Sequence, residues 1–168
     1  MSYYLIKFDK KRHWDELNLP WLAPGEVHCD PITDLKPEEG VLSIWEIEQD
    51  LSNLDLVLMA IACTRNHVDL IDYGLFDSAI LSNLEIEIVP NLGNTPVPDA
   101  NKFHRDLVKL TVSKLAHFVN IIFFSIRKDR KLYEQIRQLI IAEWGKKVDV
   151  SKVDKNLRKS IEHDLQSS

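Results

Sequence analysis

Asp99, Asn101, His104 and Arg105 fall within seven positions just after the last proline, Pro98, the densest polar cluster near a helix start. On a helix beginning near Asn101, three- and four-residue offsets set His104 and Arg105 on neighbouring faces of the first turn. A helix start offers free N–H groups and a partial positive charge, so an anion or small polar molecule can be held there. The plainer account needs no ligand: Asp and Asn are ordinary N-caps, and Lys102 with Asp106 is an ordinary i,i+4 pair.

Glu46 and Glu48 share one face of a strand by its period of two, and so do Glu85 and Glu87. Were the two strands neighbours, four carboxylates would gather into a patch suited to magnesium or to hydrolysis by paired acids. The solvated outer face of an antiparallel sheet accounts for the same alternation without chemistry. Arg127, Lys128, Arg130 and Lys131 form a basic run around Asp129 that could follow phosphates or meet an acidic surface. The run has no interleaved aromatics and the chain as a whole is acidic, which argues against nucleic acid.

No cofactor or metal is expected. HExxH and CxxC are absent, and His104 and His117 would lie ~20 Å apart along one helix. His28, Cys29 and Asp30 place three ligand types side by side, but adjacent residues rarely converge on one ion, and a turn before Pro31 explains them. No Gly-rich phosphate loop and no G-x-S-x-G elbow occurs.

The elements that must position these residues divide the chain in two. All seven prolines lie between Pro20 and Pro98, so a turn-rich half precedes a half built from helices. Strands are expected at Tyr3–Phe8, residues 41–48 and residues 84–89, the last alternating apolar and acidic up to Pro90. Residues 13–40 read as an irregular cover, packed by Trp14 and Trp21. Ser52 can cap a helix running to about Asn66, although periodicity leaves a buried strand there open, and residues 70–84 are ambiguous, with a short helix possible.

After Pro98, a single polar stripe of Lys102, Asp106, Lys109, Ser113, His117 and Asn120 predicts one central helix over residues 102–126. Its apolar part has the length of a membrane span, but two lysines inside it favour a buried helix of a soluble protein. Asp129 can cap a second helix with Leu132, Ile136, Leu139, Ile140 and Trp144 inward and Gly145 at its exit. Ser151 can cap a third, with Val153, Leu157, Ile161 and Leu165 as a narrow apolar seam. The expected architecture is one α+β domain, a small and mostly antiparallel sheet packed against long C-terminal helices.

Charge follows the same division. Residues 1–100 carry 18 acidic and 6 basic side chains, residues 101–168 carry 8 and 15, and the total is −5. Two cysteines are too few for a disulfide framework, and the N-terminus lacks the pattern of a signal peptide, which together suit the cytoplasm. These features point to a non-enzymatic interaction protein, an adaptor or inhibitor, that meets a protein partner or a second copy of itself. It would use an acidic face from the first half and a basic helical face from the second, with no membrane contact. The rival is a small enzyme or ligand-binding domain, its pocket between the segment of Trp14 and Trp21 and the start of the Asn101 helix.

Overall fold

The computed structural model describes residues 2–16 and 19–167. In chain order the elements are β1 (Tyr3–Phe8), a 3-10 turn (Lys11–Trp14), α1 (Asp30–Leu35), β2 (Leu42–Ile47), α2 (Leu54–Cys63), β3 (Ile71–Asp77), α3 (Ala79–Asn83) and β4 (Glu87–Pro90). They continue with α4 (Pro98–Asn101), β5 (His104–Val108), α5 (Val112–Ser125), β6 (Arg127–Lys131), α6 (Tyr133–Glu143), a second 3-10 turn (Val150–Lys152) and α7 (Lys155–Ser167). The class is α+β, with one six-stranded sheet in the order β4-β5-β2-β1-β3-β6. β1 pairs antiparallel with β3, and β4 with β5.

Two compact units form, and neither is a half of the sequence. The first joins Met1–Glu46, Asp72–Pro90 and Arg105–Asp129, and the second joins Ile47–Ile71, Asn91–His104 and Arg130–Ser168. Folding therefore redistributes the charge that is sorted along the chain. The first unit holds 15 acidic and 10 basic residues and the second holds 11 of each, so the whole excess of five negative charges belongs to the first.

The first unit carries the sheet. Alternation along β1 directs Tyr4, Ile6 and Phe8 to the same apolar cluster as Leu42, Ile44, Phe76 and Leu107 from the other strands. Leu115, Phe118, Val119, Ile122 and Phe123 of α5 complete that cluster. The spacing of those five at three and four residues is the stripe by which a helix packs on a sheet. Thr111 caps α5, its hydroxyl accepting from the Lys114 N–H at 3.2 Å. Gly74 leaves the room that the chain needs where α5 ends: a Cβ there would run into the Ile126 side chain and the Phe8 ring.

In the second unit α2 is apolar on nearly all sides, with Val57 to Cys63 buried without a gap. Ile136 and Ile140 of α6 and Leu157 and Ile161 of α7 have no exposure, and Arg137 of α6 forms an ion pair with Asp164 of α7. Lys131 reaches Asp55 at the start of α2, 2.6 Å away. No helix of the described residues is long and apolar enough to cross a membrane.

Several boundaries correct the expectations from sequence. Residues 102–126 are not one helix: residues 104–108 form β5, which bonds to β4 from Pro90↔Arg105 to Glu87↔Val108. The period of the polar stripe is matched only from Val112 onward, and the half after residue 100 is therefore not all helical. Residues 71–77 are an inner strand, with the short helix α3 only after them. Residues 84–86 lie outside β4, because Glu85 takes a left-handed φ of 51° that breaks the extended run. Asp129 sits in β6, where it accepts from the Tyr73 hydroxyl at 3.3 Å, and α6 starts instead where Gln135 accepts from the Leu132 N–H at 3.0 Å. Leu132 itself is exposed, as is Leu165 at the end of the α7 seam. Ser52 does not begin α2, and the Asn53 side chain before it accepts from the Glu48 N–H at 2.9 Å. Ser151 precedes α7 inside a 3-10 turn held by Asp149.

Candidate functional site

The cluster at residues 99–105 is divided among structural contacts. α4 is a single turn without a side-chain cap, so the helix start expected to gather these residues is missing. Asp99 lies exposed in that turn. Asn101 instead closes a loop, its carbonyl oxygen accepting from the Thr95 hydroxyl at 2.7 Å and from the Thr95 N–H at 3.1 Å. His104 Nδ1 lies 3.0 Å from the Asn91 carbonyl, and the Arg105 guanidinium donates to Glu46 at 2.6 Å.

The paired acids do not gather either, because β5 lies between β4 and β2. Arg105 on that strand meets Glu46 of β2, and Lys109 just beyond its end meets Glu87 of β4 at 2.6 Å. Glu48 follows the end of β2 and accepts from the Ser52 hydroxyl, while Glu85 stands outside its strand. The intervening strand thus supplies cations where a four-carboxylate patch would need open space.

The basic run is β6, an edge strand of the sheet that joins α5 to α6. Lys128 is half-buried, donating to the Trp14 carbonyl with its ammonium 4.7 Å from the centre of the Phe123 ring. Burial lowers its pKa, against the opposing pull of Asp15 and Glu16. Lys131 is paired with Asp55, Arg127 lies 4.0 Å from Asp129, and Arg130 is exposed. Charges along an edge strand discourage pairing with another chain, a structural use of the run.

A concavity of the first unit lies elsewhere, beneath the irregular cover. Trp14 anchors this cover with no exposure, stacked on Phe8 at 4.5 Å between ring centres and facing Phe123 at 6.2 Å. The carboxylate of Asp34 accepts from the Trp14 indole N–H and from the N–H groups of Asp9 and Lys10, all within 3.1 Å. Trp21 does not pack with it and is 70% exposed, contrary to its expected share in the cover.

Between the cover and the C-terminal end of α5 lies a pocket of about 260 Å³. Leu19, Leu22, Val27, Phe123 and Phe124 supply apolar lining, and Glu16, Glu26 and His28 supply its ionisable side chains. His28 is buried, with its ring edge-on to Phe123 at 5.9 Å. Nδ1 of His28 is 3.6 Å from an Asp30 carboxylate oxygen, and Nε2 has no hydrogen-bond partner among the described residues. Cys29, between them in sequence, is exposed, and no group of three or more possible metal ligands occurs among the described residues.

Of the expected cover, Trp14 packs as its type suggests, Trp21 does not, and residues 30–35 are the helix α1 rather than irregular chain. The floor of the pocket is not legible, because no local spacing shows that Phe123 and Phe124 at the end of α5 meet residues 19–28. No protein-family model matches the chain, and no curated protein or solved structure is significantly similar to it.

Proposed function

We propose that this chain is a non-catalytic cytosolic interaction protein that captures a partner protein through a cationic group, using the pocket beneath residues 19–28. The observation that carries this reading is the chemistry of the pocket: its ionisable lining consists of two glutamates and a histidine, amid apolar side chains. It belongs to the unit that holds the whole negative excess of the protein, and such a field raises the encounter rate with positive partners. Phe124 in its wall is 52% exposed, and aromatic residues of this kind are enriched where interfaces form. Free cysteines, one exposed, suit a reducing compartment.

The test is capture from native extract on the immobilised protein, at low salt and at half-molar salt, beside a Glu16→Lys, Glu26→Lys variant. A basic partner retained at low salt, released at high salt and not retained by the variant supports the reading. Capture indifferent to both salt and charge reversal overturns it, and so does sedimentation showing self-association through the pocket.

A further inference from the structure

Trp21 is 70% exposed, whereas Trp14 and Trp45 are buried and Trp144 is half-buried. Single apolar side chains on a surface are ordinary, and what sets Trp21 apart is how it is held. It stands third in a turn from Leu19 to Leu22, closed by the Leu22 N–H donating to the Leu19 carbonyl at 3.0 Å. Pro20 stands second, where the fixed φ of a proline suits a turn. A second turn follows at once, from Ala23 to Glu26, closed by the Glu26 N–H donating to the Ala23 carbonyl at 3.0 Å. Here Pro24 is second and Gly25 third, with φ 82°, the positive value that a type II turn asks of its third residue. The Glu26 carboxylate tightens this turn by accepting from the Ala23 N–H at 3.0 Å. Two proline turns in tandem thus hold a tryptophan out into water on a backbone that is already ordered.

From this arrangement we infer that Trp21 is a docking anchor, a preformed knob that enters an apolar socket rimmed by Lys or Arg on a partner protein. The inference rests on the proposed capture of a basic partner and names the side chain that leads it. Tryptophan is enriched among the few residues that dominate interfaces, because it buries a large area while fixing only two torsions. Backbone order present beforehand lowers the entropic cost of association. Charge selects the partner. No Lys or Arg occurs between Arg12 and Lys36, a stretch that carries five acids, of which Asp15, Glu16 and Glu26 are exposed. Lys128 offsets Asp15 and Glu16 in part, and Glu26 adjoins the anchor's own turn. The same acids disfavour the anionic surface of a membrane. Leu19 and Leu22 of the anchor's turn line the pocket, so Trp21 stands beside the concavity rather than in it.

The experiment labels the full chain with 5-fluorotryptophan and assigns the Trp21 fluorine signal by its absence from Trp21→Phe. Broadening of that signal by a soluble paramagnetic reagent reports its exposure. A protein retained from native extract on the immobilised chain is purified and added back. Trp21 should be broadened in the free chain and protected in the complex. Trp21→Ala should weaken binding by more than about tenfold, as truncation of an interface anchor does, at an unchanged melting temperature. Trp21→Phe should keep part of the affinity, and Pro20→Ala should weaken binding severalfold while Trp21 stays exposed in the free chain. A complex that leaves Trp21 broadened, or an affinity indifferent to Trp21→Ala, overturns the inference. Protection by vesicles of phosphatidylcholine, with or without phosphatidylserine, overturns it in favour of a membrane anchor. Protection on concentrating the chain alone overturns it in favour of a second copy. Capture abolished by Glu16→Lys, Glu26→Lys but spared by Trp21→Ala sinks this inference alone. Capture that needs Trp21 but ignores salt and charge reversal keeps the anchor and sinks its basic rim together with the cationic reading. No protein retained by the parent chain overturns both.

Discussion

The buried carboxylate of Asp34 accepts the indole N–H of Trp14 at 3.1 Å, joining the end of α1 to the turn that opens the cover. The same carboxylate accepts from the N–H groups of Asp9 and Lys10, so one side chain satisfies three donors at the mouth of β1. Such an acceptor is hard to replace, because each donor left buried without a partner costs about 1–3 kcal/mol.

Asp34→Ala should therefore destabilise the protein by about 1–3 kcal/mol, chiefly through the buried Trp14 N–H, measured by urea unfolding. Trp14 fluorescence should shift to the red as its stacking on Phe8 and Phe123 loosens. A loss below about 1 kcal/mol would show that water replaces the carboxylate easily and that the cover is not anchored there.

At position 74 the fold needs the absence of a side chain. Gly74→Ala should cost about 1–3 kcal/mol, because the new methyl meets Ile126 and Phe8 inside a packed core. Ile126→Ala in the same chain should recover part of that loss, the coupling expected of residues in contact. Strictly additive effects in this double-mutant cycle would mean that the two side chains do not compete for the same space.

Asp9 supplies the pH prediction. Hydrogen bonds from Lys36 and Lys7 hold its carboxyl down at about 2, below the ordinary range. A depressed folded-state value stabilises the native form above the unfolded pKa, and that contribution fades as pH falls from about 4 to about 2. The pair with Lys36 is largely solvated, so the amount is small. Asp9→Asn should flatten the acid limb of the stability curve in that window and leave the curve above about pH 5 parallel to the parent's. Identical slopes between about pH 4 and about pH 2 would contradict the pairing.

The two thiols should differ in reactivity. Burial pushes Cys63 up to about 12, whereas Cys29 is exposed. Because the thiolate is the nucleophile, a disulfide reagent at neutral pH should label one cysteine in the native protein and both only after unfolding. Native labelling of Cys63 at a rate near that of Cys29 would place α2 in a far more open state than its burial indicates.

Local pattern determined a good deal by itself. Tyr3–Phe8 is the strand that its aromatic and β-branched residues indicate, because strand preference is a property of side chains on a pleated surface. Leu115, Val119, Ile122 and Phe123 are buried on a helix as their spacing requires, and Gly145 takes the left-handed exit of α6 with φ 68°. The α+β class follows from where prolines cluster and where helical periods continue.

Tertiary structure decided what local pattern left degenerate. Residues 104–108 carry a helical polar stripe, yet they form a strand because β2 and β4 leave a place between them and because Asp106 can accept from Ser43 at 3.1 Å there. Pairing partners far apart in sequence outweigh a local period when the strand so formed satisfies every backbone group of an inner position. That choice separates Asn101 from Arg105 in role, places Arg105 and Lys109 against the acids of β2 and β4, and dissolves both constellations that sequence spacing suggested. The charge sorting changes for the same reason: interleaving three segments in each unit balances one and leaves the other at −5. The pocket is likewise a product of the fold alone, since Glu16 and side chains between Leu19 and His28 meet Phe123 and Phe124 there, about a hundred positions apart.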